Sequence, residues 1–267
     1  MSRLLISPGP VTTVTLNRPE VRNAFDAALI QDLTTFALNV PTDGSVRVVV
    51  LQGAGSVFSA GADLQWMSEM LSYTREENLE DARRAATMFH AIDAIAVPVI
   101  ARIHGAALGG GAGLAAVADV VVAATDAVFG FTEVTLGILP AMISPYVVRK
   151  IGLSAARELC LSGMRFSAAR AREVGLVHDV VSAERLNLAV DRYAQQFRRA
   201  APSAVAATKA LLAKVHGKAP SDVLAETVVA IANQRVSPEG QEGMRAFLEK
   251  RHPTWVSPEH VKTPRDS

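Results

Sequence analysis

Residues 100–119 read Ile100-Ala101-Arg102-Ile103-His104-Gly105-Ala106-Ala107-Leu108-Gly109-Gly110-Gly111-Ala112-Gly113-Leu114-Ala115-Ala116-Val117-Ala118-Asp119. The stretch starts as an apolar, β-rich run, passes through three consecutive glycines, and becomes an Ala/Leu-rich helical pattern. A further strand, Val120–Ala124, begins at once. Glycine at a strand-to-helix turn lets backbone N–H groups approach a ligand with no side chain in the way. Such a turn can hold an anion or a developing oxyanion. Taken alone, the glycines are equally explained by close packing of the helix on the strand.

Outward from this centre the same strand–loop–helix grammar recurs. Val11–Leu16 is β-branched and partly alternating, and Asn17-Arg18-Pro19-Glu20 ends it. Asp26 is the N-cap candidate for a helix over 26–39, with apolar Leu29, Ile30, Leu33, Phe36 and Ala37 on one face. Residues 46–51 form a buried strand that empties into the small-residue loop 53–63. Thr74 and Glu77 make a capping box for a helix running to about residue 95. The segment 131–140 shows no clean period, and helices are expected over 144–151, 154–161 and 168–174, with Gly175 closing the last. A short strand over 177–181 follows, then helices only: 183–199, 203–215, 221–235 and 238–250, with Ser203, Ser221 and Ser237-Pro238 as start signals. Two regions are therefore expected, a β/α core over 1–182 and a helical region over 183–267.

The 267 residues suffice for a large core, and 49% hydrophobic residues with a mean hydropathy of +0.22 suit an α/β protein. No apolar run reaches the roughly 18 residues of a membrane span, and the start of the chain lacks the apolar core of a signal peptide. Cys160 is the single cysteine, which excludes an internal disulfide and fits the reducing cytoplasm. A net charge of +1 provides no global field for nucleic acid or membrane.

Several familiar motifs fail on inspection. Gly53-Ala54-Gly55-Ser56-Val57-Phe58 has Phe where a dinucleotide fingerprint needs its third glycine, and no Lys-Ser/Thr follows residues 109–111. Ser59 lacks the glycine that precedes a nucleophile elbow. The histidines at 90, 104, 178, 216, 252 and 260 show no metal-ligand spacing, so no metal is expected. What remains is a combination: two glycine-rich turns, Ser59-Ala60-Gly61-Ala62-Asp63 and Leu108-Gly109-Gly110-Gly111, and one carboxylate, Glu133, in apolar surroundings. Paired N–H donors with a carboxylate nearby are the minimal apparatus for enolate chemistry next to a carbonyl. Walled in by Phe129, Phe131, Val134 and Leu136, Glu133 should have a raised pKa and trade protons near neutrality.

In order and spacing, these pieces resemble the enoyl-CoA hydratase/isomerase (crotonase) superfamily across nearly the whole chain. The carrying stretches are Asn17-Arg18-Pro19-Glu20-Val21-Arg22-Asn23-Ala24-Phe25, Phe58-Ser59-Ala60-Gly61-Ala62-Asp63-Leu64, His104-Gly105-Ala106-Ala107-Leu108-Gly109-Gly110-Gly111, Ala118-Asp119, residues 129–140, and Ala206-Ala207-Thr208-Lys209. The resemblance implies a spiral of ββα units with a helical C-terminal trimerisation region, assembling as a homotrimer or a dimer of trimers. It implies an acyl-CoA thioester as substrate, with coenzyme A part of that substrate and no separate cofactor. By the same resemblance, the N–H groups of Ala60 and Gly110 form the oxyanion hole. Val21, Arg22, Ala24, Ala60, Ala62, Asp63 and Leu64 hold the coenzyme A portion, and Glu133 is catalytic. Trp66, Met67, Gly113, Thr132 and Tyr146 line the acyl pocket.

One departure stands out. Hydratases of this family pair two glutamates, and the place of the first, twenty residues before Glu133, is held by Gly113. Three readings follow: a hydratase working through Glu133, a Δ3,Δ2-enoyl-CoA isomerase needing one acid/base, or a non-catalytic protein binding CoA esters. The stretch 129–148 is similar to a branch acting on branched or carboxylated enoyl-CoAs, including methylglutaconyl-CoA and isohexenylglutaconyl-CoA hydratases, which favours the hydratase. Arg149 or Lys150 could meet a second carboxylate on such a substrate, although cations at a helix end are usually solvated.

Overall fold

A computed structural model describes residues 2–256. In chain order the strands are β1 (Leu4–Ser7), β2 (Val11–Leu16), β3 (Val48–Gly53), β4 (Val99–Ile103), β5 (Ala106–Leu108), β6 (Val120–Ala124), β7 (Val128–Gly130), β8 (Arg165–Ser167) and β9 (Asp179–Val181). The helices are α1 (Ala27–Leu38), α2 (Leu64–Met70), α3 (Arg75–Asp93), α4 (Gly110–Val117), α5 (Ser144–Ser162), α6 (Ala168–Glu173), α7 (Leu186–Arg199), α8 (Pro202–Val215), α9 (Leu224–Val236) and α10 (Pro238–Leu248). The main sheet has the order β1-β2-β3-β4-β6-β9, parallel except for the β1–β2 hairpin, and β5-β7-β8 form a second, smaller sheet.

The two faces of the main sheet bury different partners, as strict alternation along a strand requires. Val49 and Leu51 of β3 join the cluster that includes α1, α3 and α4, whereas Val48 and Val50 face Leu186, Ala189, Val190 and Ala194 of α7. Helix α7 thus roofs the sheet, while α8–α10 lie farther out and carry exposed Val228, Val229, Phe247 and Leu248. Among the described residues no helix is long and apolar enough to cross a membrane.

Local chemistry sets the element boundaries. The Asp26 carboxylate accepts from Leu29 N–H at 2.7 Å, and Thr74 and Glu77 form the reciprocal capping box. Gly175, with φ 85°, terminates α6. α5, from 144 to 162, is two helical runs broken at Gly152 (φ 74°, ψ 162°), where the sequence reading separates 144–151 from 154–161. Other boundaries differ from the sequence reading. α8 starts at Pro202, so Ser203 lies inside it and donates its hydroxyl to Glu239, and α9 starts at Leu224, after a 3-10 turn over Pro220–Val223. Strand β8 was not anticipated; three residues are too few for a period. Of the tail beyond Pro253, and of His260, only residues up to 256 are described.

Candidate active site

Two long-range pairings bring the glycine-rich turns together. Residue 59 bridges to β5 (Ser59 N–H to Ala106 O and Leu108 N–H to Ser59 O, both 3.0 Å), while residue 62 bridges to Phe25. Behind this junction the fully buried Asn23 ties the loops: its amide donates to Ala54 O and Val57 O at 2.7 and 2.9 Å and accepts from Arg18 N–H at 2.9 Å. Asn23 has φ 54°, a conformation asparagine tolerates better than most residues. Nothing in its sequence context marked it for this role.

The pairing decides which amides are free. Ala60 N–H donates to Arg22 O at 3.0 Å, Phe25 N–H to Gly61 O at 2.7 Å, and Asp63 N–H to Phe25 O at 2.9 Å. Ala60, assigned to the oxyanion hole from sequence, therefore has its N–H engaged inside the fold. Ala62 N–H is the one of this segment left without an acceptor among the described residues, pointing away from Phe25, with Gly61 (φ 93°) turning the chain between residues 60 and 62. Across from it α4 begins. Its N-cap is Gly109 (φ 51°, ψ −120°), with no side-chain cap, so the first amides, Gly110 included, have no side-chain acceptor. The two turns touch: a Cβ on Gly61 would sit 3.0 Å from Leu108 O and 3.8 Å from the Gly109 Cα. Both glycines are required, by positive φ and by this approach. The α4 dipole adds positive potential at the same point.

Glu133 enters from the second sheet. Leu108 pairs with Gly130, and Gly109 N–H donates to Gly130 O at 2.8 Å, which holds the segment after β7 against the start of α4. Glu133 opens a 3-10 turn, Glu133–Leu136, and its Oε1 lies 3.5 Å from where a Gly109 Cβ would stand. Its Oε2 is buried with no hydrogen-bond partner among the described residues. Burial pushes the Glu133 carboxyl above the ordinary carboxylate range. The walls differ from expectation: Leu136 is 59% exposed, and Phe129 and Phe131 pack on Phe166. The Cys160 thiol of α5 feels Glu133: burial first, then that carboxylate, raise its pKa.

Gly113 has no open space beside it. A Cβ there would lie 2.3 Å from Ile143 Cγ2 and 2.9 and 3.1 Å from two ring carbons of Phe89. The volume a first glutamate would need is filled, so Gly113 is a packing position and not the pocket-lining position expected from sequence. Tyr146 flanks Phe89, with ring centroids 6.4 Å apart. Trp66 is buried on α2, and Met67 and Thr132 are half-buried.

The residues assigned to coenzyme A divide into two groups. Val21, Arg22, Ala62 and Leu64 are exposed. Asp63 and Ala24 are buried and internally engaged: Asp63 pairs with Arg18 at 2.9 Å and caps α2 through Gln65 N–H at 2.8 Å, and Ala24 O accepts from Arg18. The Asp63 carboxylate and the Ala24 carbonyl support the loop and are not free for a ligand. Arg149 pairs with Asp93, and Lys150 reaches Ala118 O and Asp119 O at the far end of α4, so neither faces Glu133. Among the described residues no cluster of His, Cys, Asp and Glu could hold a metal.

Two free amides beside a half-buried glutamate are an arrangement suited to an acyl-enolate, and the enoyl-CoA hydratase/isomerase family model matches residues 7–258. The chain belongs to this family. It is similar to the 2,3-dehydroadipyl-CoA hydratase of Escherichia coli, at 36% identity over 95% of this chain and 98% of that protein. Among solved structures it is similar to Pseudomonas aeruginosa AtuE (40% identity, TM-score 0.92, 96% and 100% of the two chains). An enoyl-CoA hydratase from Shewanella pealeana matches at 36% identity with a TM-score of 0.90 over 95% and 96%. The chain is accordingly an enzyme of the hydratase/isomerase family with the crotonase fold and a helical C-terminal region.

Proposed function

We propose that this enzyme adds water across the 2,3 double bond of an enoyl-CoA thioester, with Glu133 as its one catalytic carboxylate. The observation carrying the reading is the buried, unpartnered Oε2 of Glu133 beside the free amides at 62 and 110, with no room for a carboxylate at 113. The thioester oxygen accepts from Ala62 N–H and Gly110 N–H, which stabilise the enolate as water attacks C3. Glu133 takes a proton from that water and returns it to C2, which balances the addition with a single acid/base. No cofactor enters the scheme. The exposed edge formed by Val21, Arg22 and Leu64 is where the coenzyme A portion lies.

A branched or carboxylated acyl chain is the preferred substrate class, supported by the likeness to a hydratase of a carboxylated enoyl-CoA. The exposed apolar residues of α9 and α10 support assembly as a homotrimer or a dimer of trimers; sedimentation at micromolar concentration should give three or six times the 28.3 kDa chain mass, and a monomer would refute it.

The single carboxylate also favours a second reading, a Δ3,Δ2-enoyl-CoA isomerase, which needs only one proton carrier. A panel of 2-enoyl- and 3-enoyl-CoA thioesters separates them. Loss of the conjugated enoyl absorbance from 2-enoyl substrates, with a 3-hydroxyacyl product, supports the hydratase. Gain of that absorbance from 3-enoyl substrates alone supports the isomerase, and binding without turnover refutes both.

A further inference from the structure

A solvent-open cavity of about 770 Å³ lies at the opposite end of α4 from Gly110, bounded by the last turn of α4, by α5 and by α8. An eight-residue helix spans roughly 12 Å, so this cavity is separate from the enolate site. Its walls are mostly apolar, including Val117, Phe197, Val205 and Leu212.

Its charges are incompletely matched. Arg149 pairs with Asp93, and Lys209 Nζ lies 2.6 Å from Asp119 Oδ2. Lys150 Nζ, the third cation, meets only the carbonyl oxygens of Ala118 and Asp119 and has no carboxylate in ion-pair contact among the described residues. Beside it, His178 accepts from Val121 N–H through Nδ1 at 3.0 Å. A neutral ring in that bond carries its proton on Nε2, which has no acceptor among the described residues. Burial, then the Lys150 charge, hold the His178 pKa below its ordinary value and keep the ring in this form. Three cations therefore face two carboxylates, and Nε2–H of the exposed His178 is open to an incoming acceptor.

We propose that this cavity is a second ligand site, for a small carboxylic acid with an apolar tail. Lys150 Nζ and His178 Nε2 receive the carboxylate, and Val117, Phe197, Val205 and Leu212 receive the tail. A carboxylate supplies Lys150 with the counter-charge it lacks and gives His178 Nε2–H an acceptor.

Burial brings the Lys150 ammonium down to about 8; Arg149 and Lys209 push the same way, and Asp119 and Asp93 oppose them. His216, at the C-terminal end of α8, completes the titratable groups lining the cavity. Because the carboxylate needs the ammonium form, affinity should fall about tenfold between pH 7 and pH 9.

The test is calorimetric titration of the full chain with octanoate in the presence of saturating octanoyl-CoA, which blocks the enolate site. The expected result is one saturable site per chain that octanoyl-CoA does not displace. Lys150→Met should weaken it at least tenfold, and Lys150→Arg should retain most of it. The pH series on the unaltered protein carries the same question should Lys150→Met not fold, and it needs no assumption about turnover. The proposal is overturned by displacement of octanoate by octanoyl-CoA, by equal binding to Lys150→Met, by an affinity flat from pH 7 to pH 9, or by no saturable binding.

Discussion

Replacing Gly113 by glutamate would supply the carboxylate that paired-glutamate hydratases carry, and the structure specifies what it meets. The new Cβ would stand 2.3 Å from Ile143 Cγ2 and about 3 Å from the Phe89 ring, closer than real Cβ contacts come. Ile143 is β-branched and 2% exposed, so its methyl cannot swing away without moving α5. Overpacking of this kind costs about 1–3 kcal/mol. Burying a second carboxyl near Glu133 adds an unpaired polar group worth roughly another 1–3 kcal/mol. Together these make about 2–6 kcal/mol, and at about 2–4 °C per kcal/mol Gly113→Glu should lower Tm by roughly 4–24 °C and add no hydration activity. Ile143→Ala alone should cost about 2–5 kcal/mol through its cavity. In the double variant the glutamate occupies that cavity, so the combined loss should fall short of the sum by about 1–3 kcal/mol. Differential scanning calorimetry on all four proteins measures the coupling, with crotonyl-CoA hydration followed alongside. Unchanged stability in Gly113→Glu, or strict additivity with Ile143→Ala, would refute the packing argument.

Other consequences of the site can be checked separately. Glu133→Gln should lower kcat by about 10²–10⁴ with KM little changed, measured by the loss of enoyl absorbance. The same variant should melt higher at pH 7. The Glu133 carboxyl is raised in the fold, so its contribution to stability is complete below the unfolded pKa and lost as pH rises through the folded value; a neutral amide avoids that loss. In the unaltered enzyme kcat should fall with acidification below that raised pKa, at a pH above the ordinary carboxylate range. Gly109→Ala, forced to hold φ 51° and ψ −120°, should cost about 1–3 kcal/mol of strain and lower kcat more than it raises KM. Asn23→Leu leaves two carbonyls and one N–H without partners in the interior; a loss of about 2–4 kcal/mol should appear in urea titration, together with a raised KM.

Some of this architecture is written locally, and some only in pairings between distant segments. The Thr74–Glu77 box and the Asp26 cap act within three residues, so the sequence displays them. The two glycine turns and Glu133 were also visible, because positive φ and close approach leave few residues able to stand there. The choice between Ala60 and Ala62 was not. It depends on long-range pairing with Arg22 and Phe25: a regular strand would point the amides of residues 60 and 62 the same way, and Gly61, with φ 93°, breaks that alternation between them. The filled space beside Gly113 was equally hidden, since Phe89 lies on α3 and Ile143 just before α5, and no local pattern links them to α4. The break at Gly152 left helical residues on both sides, and the sequence showed it as two helices.

The central claim is one carboxylate acting beside the amides of residues 62 and 110. A crystal structure of the enzyme with a saturated acyl-CoA bound tests it most directly, through three distances. The account predicts the thioester oxygen within about 3.2 Å of both Ala62 N and Gly110 N, with Glu133 as the one carboxylate facing C2 and C3. A thioester oxygen held by Ala60 N–H, or a second carboxylate of this chain facing C3, would contradict it.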